Sequence, residues 1–250
     1  MRGFAPSLVL FLIVTVAATF GLRLVEAAYG IGGGAIQWHH LGPLIGAAVT
    51  SMVVPATSRP DPPEPVARRQ WIAHTVLGVV AAGLFAALVF AGFTMLQVPA
   101  PDLSRAGLGT VVIAMLGLAV GAIAQEMGWR GFLQPTLEAR TSRMGAAVIV
   151  GLVWTLWHVT AYTDLVTAAL LLATYLPLAV LLAHLGNGSV LQRVITTSIV
   201  HWLVTLPVML LAGIGGSVVQ AVVGAATVIV TAVFMLMFKI ATGRRRARAS

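Results

Sequence analysis

Cysteine is absent from this 250-residue chain, and charge is scarce: Asp and Glu number 7 together, and charged residues make up 9% of the total. The first absence excludes disulfides, thiolate chemistry and Cys-ligated metal centres. The second excludes an ordinary soluble domain, in which about a quarter of residues are charged. No His-Glu-x-x-His stretch is present, internal repeats are missing, and no loop is long enough to house a soluble domain. What the chain has is apolar surface, with 59% hydrophobic residues and a mean hydropathy of +0.98. It reads as an all-α membrane protein, one polytopic domain over residues 1–250 surrounded by membrane lipids.

A transmembrane helix needs about 20 apolar residues. Eight runs approach that length, giving a bundle of about eight transmembrane helices: Phe4 to Leu22, Ala35 to Ala56, Ile72 to Val98, Leu108 to Met127, Met144 to Tyr162, Leu165 to Leu185, Val190 to Ala212 and Val218 to Ile240. The first run is too long for a signal-peptide core, although Val25-Glu26-Ala27-Ala28 loosely resembles a cleavage region. Gly30 to Gly34 supplies a flexible turn and Pro60 to Pro65 a stiff, acidic one. The net charge of +8 is concentrated in the tail Lys239, Arg244, Arg245, Arg246 and Arg248, directly after an apolar run. That is a juxtamembrane anchor and not a nucleic-acid site. With eight spans and a cytoplasmic C-terminus, all Lys and Arg except Arg23 and Arg105 fall on the inside, as the positive-inside rule requires. Both termini are therefore expected in the cytoplasm, with a bacterial plasma membrane as the location.

Three polar clusters interrupt the second half. They are Gln125 to Arg130, Trp154 to His158, and His201 to Thr205. An ionisable group in hydrocarbon costs about 2.5 to 3.5 kcal/mol on insertion scales, so such groups are normally paired, cavity-facing and functional. The plainer readings are an i,i+4 pair of Glu126 with an inside-facing anchor, Arg130, and two packed histidines. His39, His40, His74 and His184 form no pattern and receive no role. If the fourth and fifth runs form a hairpin turning at Thr141 and Ser142, Gln125 and His158 stand about 25 Å above its tip, and His201 enters its own run by about 17 Å. One polar cavity would then collect Gln125, Glu126, His158 and His201.

On these residues the sequence resembles the CAAX-protease and bacteriocin-processing (Abi) family of intramembrane proteases. Its motifs are Glu-Glu-x-Gly-Trp-Arg-Gly-Phe-Leu, Phe-x-x-x-His and His-x-x-x-Asn; here they stand as Gln125-Glu126-Met127-Gly128-Trp129-Arg130-Gly131-Phe132-Leu133, Trp154-x-x-x-His158 and His201-x-x-x-Thr205. The family-like core is about 108–207. The resemblance implies a peptidase that activates water against a peptide bond near the cytoplasmic face. By position, Gln125 takes the place of the base, His158 orients water, His201 and Thr205 face the oxyanion, and Glu126 with Arg130 braces the helix. Members are often labelled metalloproteases, which leaves a divalent metal such as zinc open on His158, His201 and Glu126, though it lacks an evident third ligand; no cofactor is assigned.

Gln125 is the main departure, because an amide cannot accept a proton from water. That keeps a second reading open: a catalytically impaired relative acting as a binding, immunity or scaffold protein. A small-solute transporter fits the buried Glu and His but lacks repeats and paired broken helices. A rhomboid-type serine protease is disfavoured, because Ser189 is followed by Val190 where such enzymes carry Gly.

Overall fold

Backbone polar groups have no water to bond in hydrocarbon, so apolar runs of this kind satisfy them internally as helices. A computed structural model describes residues 4–31, 37–98, 107–158, 161, 164–212 and 216–249, without the side chains of 211–212 and 242–249. Among the described residues there is no strand. The long helices are α1 (Phe4–Ala28), α3 (Arg68–Met95), α4 (Leu108–Gly128), α7 (Leu165–Leu185), α8 (Val190–Ala212) and α9 (Ser217–Ala249). Shorter ones are α2 (Gly42–Val53), α5 (Gln134–Glu138) and α6 (Arg143–Trp157). α4 runs through a π-helical turn, Trp129–Leu133, into α5, so that Leu108–Glu138 is one 31-residue rod.

The all-α membrane class holds, and among the described residues six helices are long and apolar enough to cross a membrane. Two of the eight expected runs are shorter than a crossing. The run from Ala35 to Ala56 yields a 3₁₀ turn, Trp38–Leu41, and then only 12 residues of α2. It stops at Val54 in extended conformation, which the following Pro55 imposes on it. The run from Met144 to Tyr162 yields the 15 residues of α6, ending at Trp157, while Tyr162 lies outside the described residues. So does most of the Gly30 to Gly34 turn.

Between helices in lipid the driving force is close packing of small residues, since tails are as apolar as side chains. α1 turns Ser7, Phe11, Thr15 and Thr19 inward at every fourth position and leaves Val9, Ile13, Val16 and Leu24 outward. α2 meets that stripe with Gly42 and Gly46, where an added Cβ would stand 2.0 Å from the hydroxyls of Thr19 and Thr15. Only glycine permits this approach. The buried threonines Thr155, Thr197 and Thr227, and the half-buried Thr205, donate their hydroxyls to carbonyls one turn back in their own helices, which removes the cost of burying them.

The rod Leu108–Glu138 packs against α2 and α8. Trp129, Arg130 and Leu133 are among the largest fully buried side chains of the protein, and Phe11 stacks on Phe132 at 5.1 Å. The π turn precedes Pro135, whose missing N–H and bulky ring would disrupt a regular turn; there Gln134 N–H donates instead to the carbonyl of Trp129. The rod ends in a clamp: Glu138 receives Arg193 Nη1 at 2.7 Å and Gln134 Nε2 at 2.8 Å, with Arg143 at 3.7 Å. The expected hairpin follows. Ser142 caps α6, its Oγ accepting from Gly145 N–H at 3.1 Å.

Candidate active site

α4 carries Gln125 and Glu126, the π turn carries Arg130, the end of α6 carries Trp154 and His158, and α8 carries His201 and Thr205. Packing of α4 against α8 brings Glu126 and His201 together, and the indole of Trp154 links α6 to both through Gln125 and the His201 ring. Glu126 is fully buried, and one of its oxygens, Oε1, accepts from Arg130 Nη1 at 3.0 Å and from His201 Nδ1 at 2.9 Å. A carboxylate can only accept, so Nδ1 of His201 carries the proton and its Nε2 points the other way with a lone pair when the ring is neutral. Arg130 is 1% exposed, which corrects its reading as an interfacial anchor: its charge is spent on Glu126 and its guanidinium lies 4.7 Å over the Trp154 ring. Its Nε and Nη2 meet no hydrogen-bond acceptor among the described residues. A buried guanidinium with unspent donors is costly, and such groups commonly mark a place where a ligand is held.

Gln125 is 3% exposed and its Oε1 accepts from Trp154 Nε1 at 3.1 Å. The indole N–H can only donate, so the amide is fixed with its oxygen on Trp154 and its NH₂ free of any described partner. The position that the family fills with a proton acceptor therefore presents donors. His158 lies at the end of α6, where its Nδ1–H donates to the Trp154 carbonyl at 2.9 Å. Its Nε2 is left as the lone-pair nitrogen. The ring is held on Tyr175 at 4.0 Å between centroids, almost parallel, and edge-on to Trp157 at 4.7 Å. Gln125 faces Trp154, one turn closer to the hairpin tip than the sequence argument placed its partner, with His158 one turn beyond. Thr205 donates its hydroxyl to the His201 carbonyl at 2.8 Å, so its single proton is committed to its own helix.

No group of three His, Cys, Asp or Glu side chains is arranged to hold a metal ion among the described residues. The donor set fits zinc poorly: His201 Nδ1 and Glu126 Oε1 bind each other, and Oε1 also binds Arg130.

Two groups went unread in the sequence. Glu26 near the end of α1 is 4% exposed and accepts from His39 Nδ1 at 2.9 Å, while Arg23 Nη2 donates to the far nitrogen of His39 at 3.2 Å. His40 follows, its ring 4.5 Å from that of His39 and 5.7 Å from that of Trp157. The signal was the rarity of acids: a carboxylate at the end of an apolar run, three residues after an Arg, needs a buried partner. His74 and His184 stay apart, bonded respectively by Asn187 and to the Val180 carbonyl.

The fold and site define a polytopic helical membrane protein that gathers a carboxylate, a guanidinium and two imidazoles on three of its helices. The sequence profile described as Type II CAAX prenyl endopeptidase Rce1-like matches residues 106–246, which covers α4 to α9. The chain belongs to that family, whose members are membrane proteases. A 41-residue segment is also 39% identical to a CAAX prenyl protease 2 of Methanococcus maripaludis, covering 16% of this chain and 15% of that protein.

Proposed function

We propose that the chain is an intramembrane endopeptidase that hydrolyses a peptide bond near the cytoplasmic face, on a substrate entering from that side, with both termini cytoplasmic. The observation that carries this reading is the convergence of Glu126, Arg130 and His201 beside Gln125 and His158. In this mechanism His158 Nε2 holds the attacking water. Glu126 holds the His201 ring in one orientation, its Nε2 edge turned to the developing oxyanion, which accepts from the amide N–H groups of Gln125 and from that nitrogen when it carries a proton. Arg130 neutralises Glu126. Thr205 shapes α8 and gives no proton to the substrate.

An apolar groove of about 750 Å³ runs beside the site between α2, α4 and α8, lined by Leu44, Ile123, Met127, Val194, Ile195 and Trp202 among others. Such a groove suits the hydrocarbon tail of a lipid-modified peptide, in keeping with the prenyl substrates that the family description names. The test is cleavage of a farnesylated C-terminal peptide by the protein in proteoliposomes, followed by release of the terminal tripeptide. Wild type is expected to cleave, and Gln125→Glu to cleave faster, since the new carboxylate would accept from Trp154 at nearly constant volume and supply a proton acceptor beside the water. Gln125 favours one other reading, an impaired relative that only binds. Peptide binding without cleavage by wild type and Gln125→Glu alike would establish that reading instead.

A further inference from the structure

The amide at Gln125 leaves the proposed hydrolysis without its usual proton acceptor, and the structure brings a different one to the same face of α4. Gly121 stands one helical turn before Gln125 on that face, about 6 Å along the axis. On it sits the imidazole of His40: a Cβ built on Gly121 would lie 2.9 Å from His40 Nδ1. Glycine here makes room for the ring. The ring is partly exposed, and neither of its nitrogens makes a hydrogen bond among the described residues. His158 and His201 lie within electrostatic reach of it, and Trp157, edge-on to His158, covers its side.

The turn that presents His40 is built firmly. His39, the preceding residue, donates both its backbone N–H and its Nδ1–H to Glu26, and Arg23 caps its other nitrogen. Every polar atom of the His39 ring is therefore used, whereas the His40 ring keeps its own free. Three other acceptors compete: His158, whose one lone pair holds the water in the proposed mechanism; His201 Nε2, which faces the oxyanion there; and the second oxygen of Glu126, which meets no hydrogen-bond partner among the described residues but belongs to a carboxylate already engaged by Arg130 and His201. With these three assigned or engaged, the proton falls to the remaining imidazole.

We infer that His40, from the N-terminal segment outside the family-matched residues 106–246, is a catalytic residue: the general base that replaces the carboxylate missing at Gln125. This rests on the protease reading. A water held by His158 gives its proton to a ring nitrogen of His40 as its oxygen bonds to the peptide carbonyl carbon, and the carbonyl oxygen takes up the negative charge. The tetrahedral species then collapses. The C–N bond breaks as the His40 imidazolium returns the proton to the leaving nitrogen, giving one carboxyl product and one amine with no net change in the enzyme. The titratable and charged groups within electrostatic reach of His40 are Arg23 of α1, His39 of its own turn, His158 at the end of α6 and His201 of α8.

The experiment compares cleavage of the farnesylated peptide by wild type, His40→Gln, Gln125→Glu and the His40→Gln/Gln125→Glu double variant, with thermal unfolding of each as a check on the fold. His40→Gln keeps size and polarity but accepts no proton, so a loss of about 10² or more is expected. The double variant should recover to within about tenfold of wild type, because the base has been moved and not removed. Should His40→Gln fold badly, Gly121→Ala displaces the ring without altering it and should give the same loss, again rescued by Gln125→Glu. Cleavage by His40→Gln at the wild-type rate, or a loss in folded protein that Gln125→Glu does not restore, overturns the inference while leaving the protease reading in place. Silence of every variant including Gln125→Glu overturns the protease reading and the role of His40 with it.

Discussion

The protein contains two buried sets made of the same three groups, a carboxylate, an imidazole and a guanidinium, joined in different order. At Glu26 the order is linear: Arg23 donates to His39, and His39 donates to Glu26, so that both nitrogens of the ring are occupied. At Glu126 the arginine and the histidine converge on one carboxylate oxygen, and the far nitrogen of His201 meets no partner among the described residues. The first set completes itself and can only hold the chain in place. The second neutralises its charge and still has an imidazole nitrogen and two guanidinium donors unspent. Where the guanidinium attaches decides whether a buried triad is a brace or a site.

The sharpest way to break that comparison is to remove one carboxylate from each set. Glu126→Gln leaves Arg130 buried without its counter-charge, a cost of about 3–5 kcal/mol, and frees His201 to turn. Cleavage is expected to fall below detection and the melting temperature to drop. Glu26→Gln retains two acceptor sites for His39, so the rate should stay within about tenfold while the melting temperature falls less. The reverse ranking of the two rates, in folded proteins, would refute the distinction.

A smaller effect is expected from Trp154→Phe, which removes the donor that orients the Gln125 amide, a hydrogen bond worth about 0.5–1.5 kcal/mol. Cleavage should fall about tenfold and the melting temperature should drop as well, because the smaller ring leaves a cavity at a fully buried position under Arg130; an unchanged rate would mean that the orientation of Gln125 is immaterial. Thr205→Val should do least. Its hydroxyl serves its own helix, so the rate should change by less than about threefold, as measured in the same cleavage assay. A larger loss confined to the rate would show that the hydroxyl turns to the substrate.

Composition and the length of the apolar runs were enough to read the all-α membrane class, the hairpin turning at Ser142 and the pairing of Glu126 with Arg130, because these depend on neighbours in sequence. The contact between Glu126 and His201 was read as a shared cavity from depth along two helices, and it exists as a direct hydrogen bond. What escaped was set by tertiary packing. Hydropathy cannot distinguish the 3₁₀ turn and short helix of 38–53 from one continuous span, since both are equally apolar. The π turn at Trp129–Leu133 is likewise invisible to a 3.6-residue period, although Pro135 marks where a helix must widen or break. The Glu26 and His39 pairing joins residues of different elements across a turn, and no periodicity reports that.

The early end of α6 creates a demand that the surrounding hydrocarbon cannot meet. At 15 residues the helix is about 22 Å long, against a hydrocarbon core of about 30 Å. The demand falls on His158: its backbone N–H donates to the carbonyl of Thr155 at 3.0 Å, its ring N–H donates to that of Trp154 at 2.9 Å, and its own carbonyl accepts from the Ala161 N–H at 2.8 Å. One residue thus closes the helix twice, with its backbone and with its ring, so the length of α6 and the direction in which the second imidazole nitrogen points are set by the same side chain and change together.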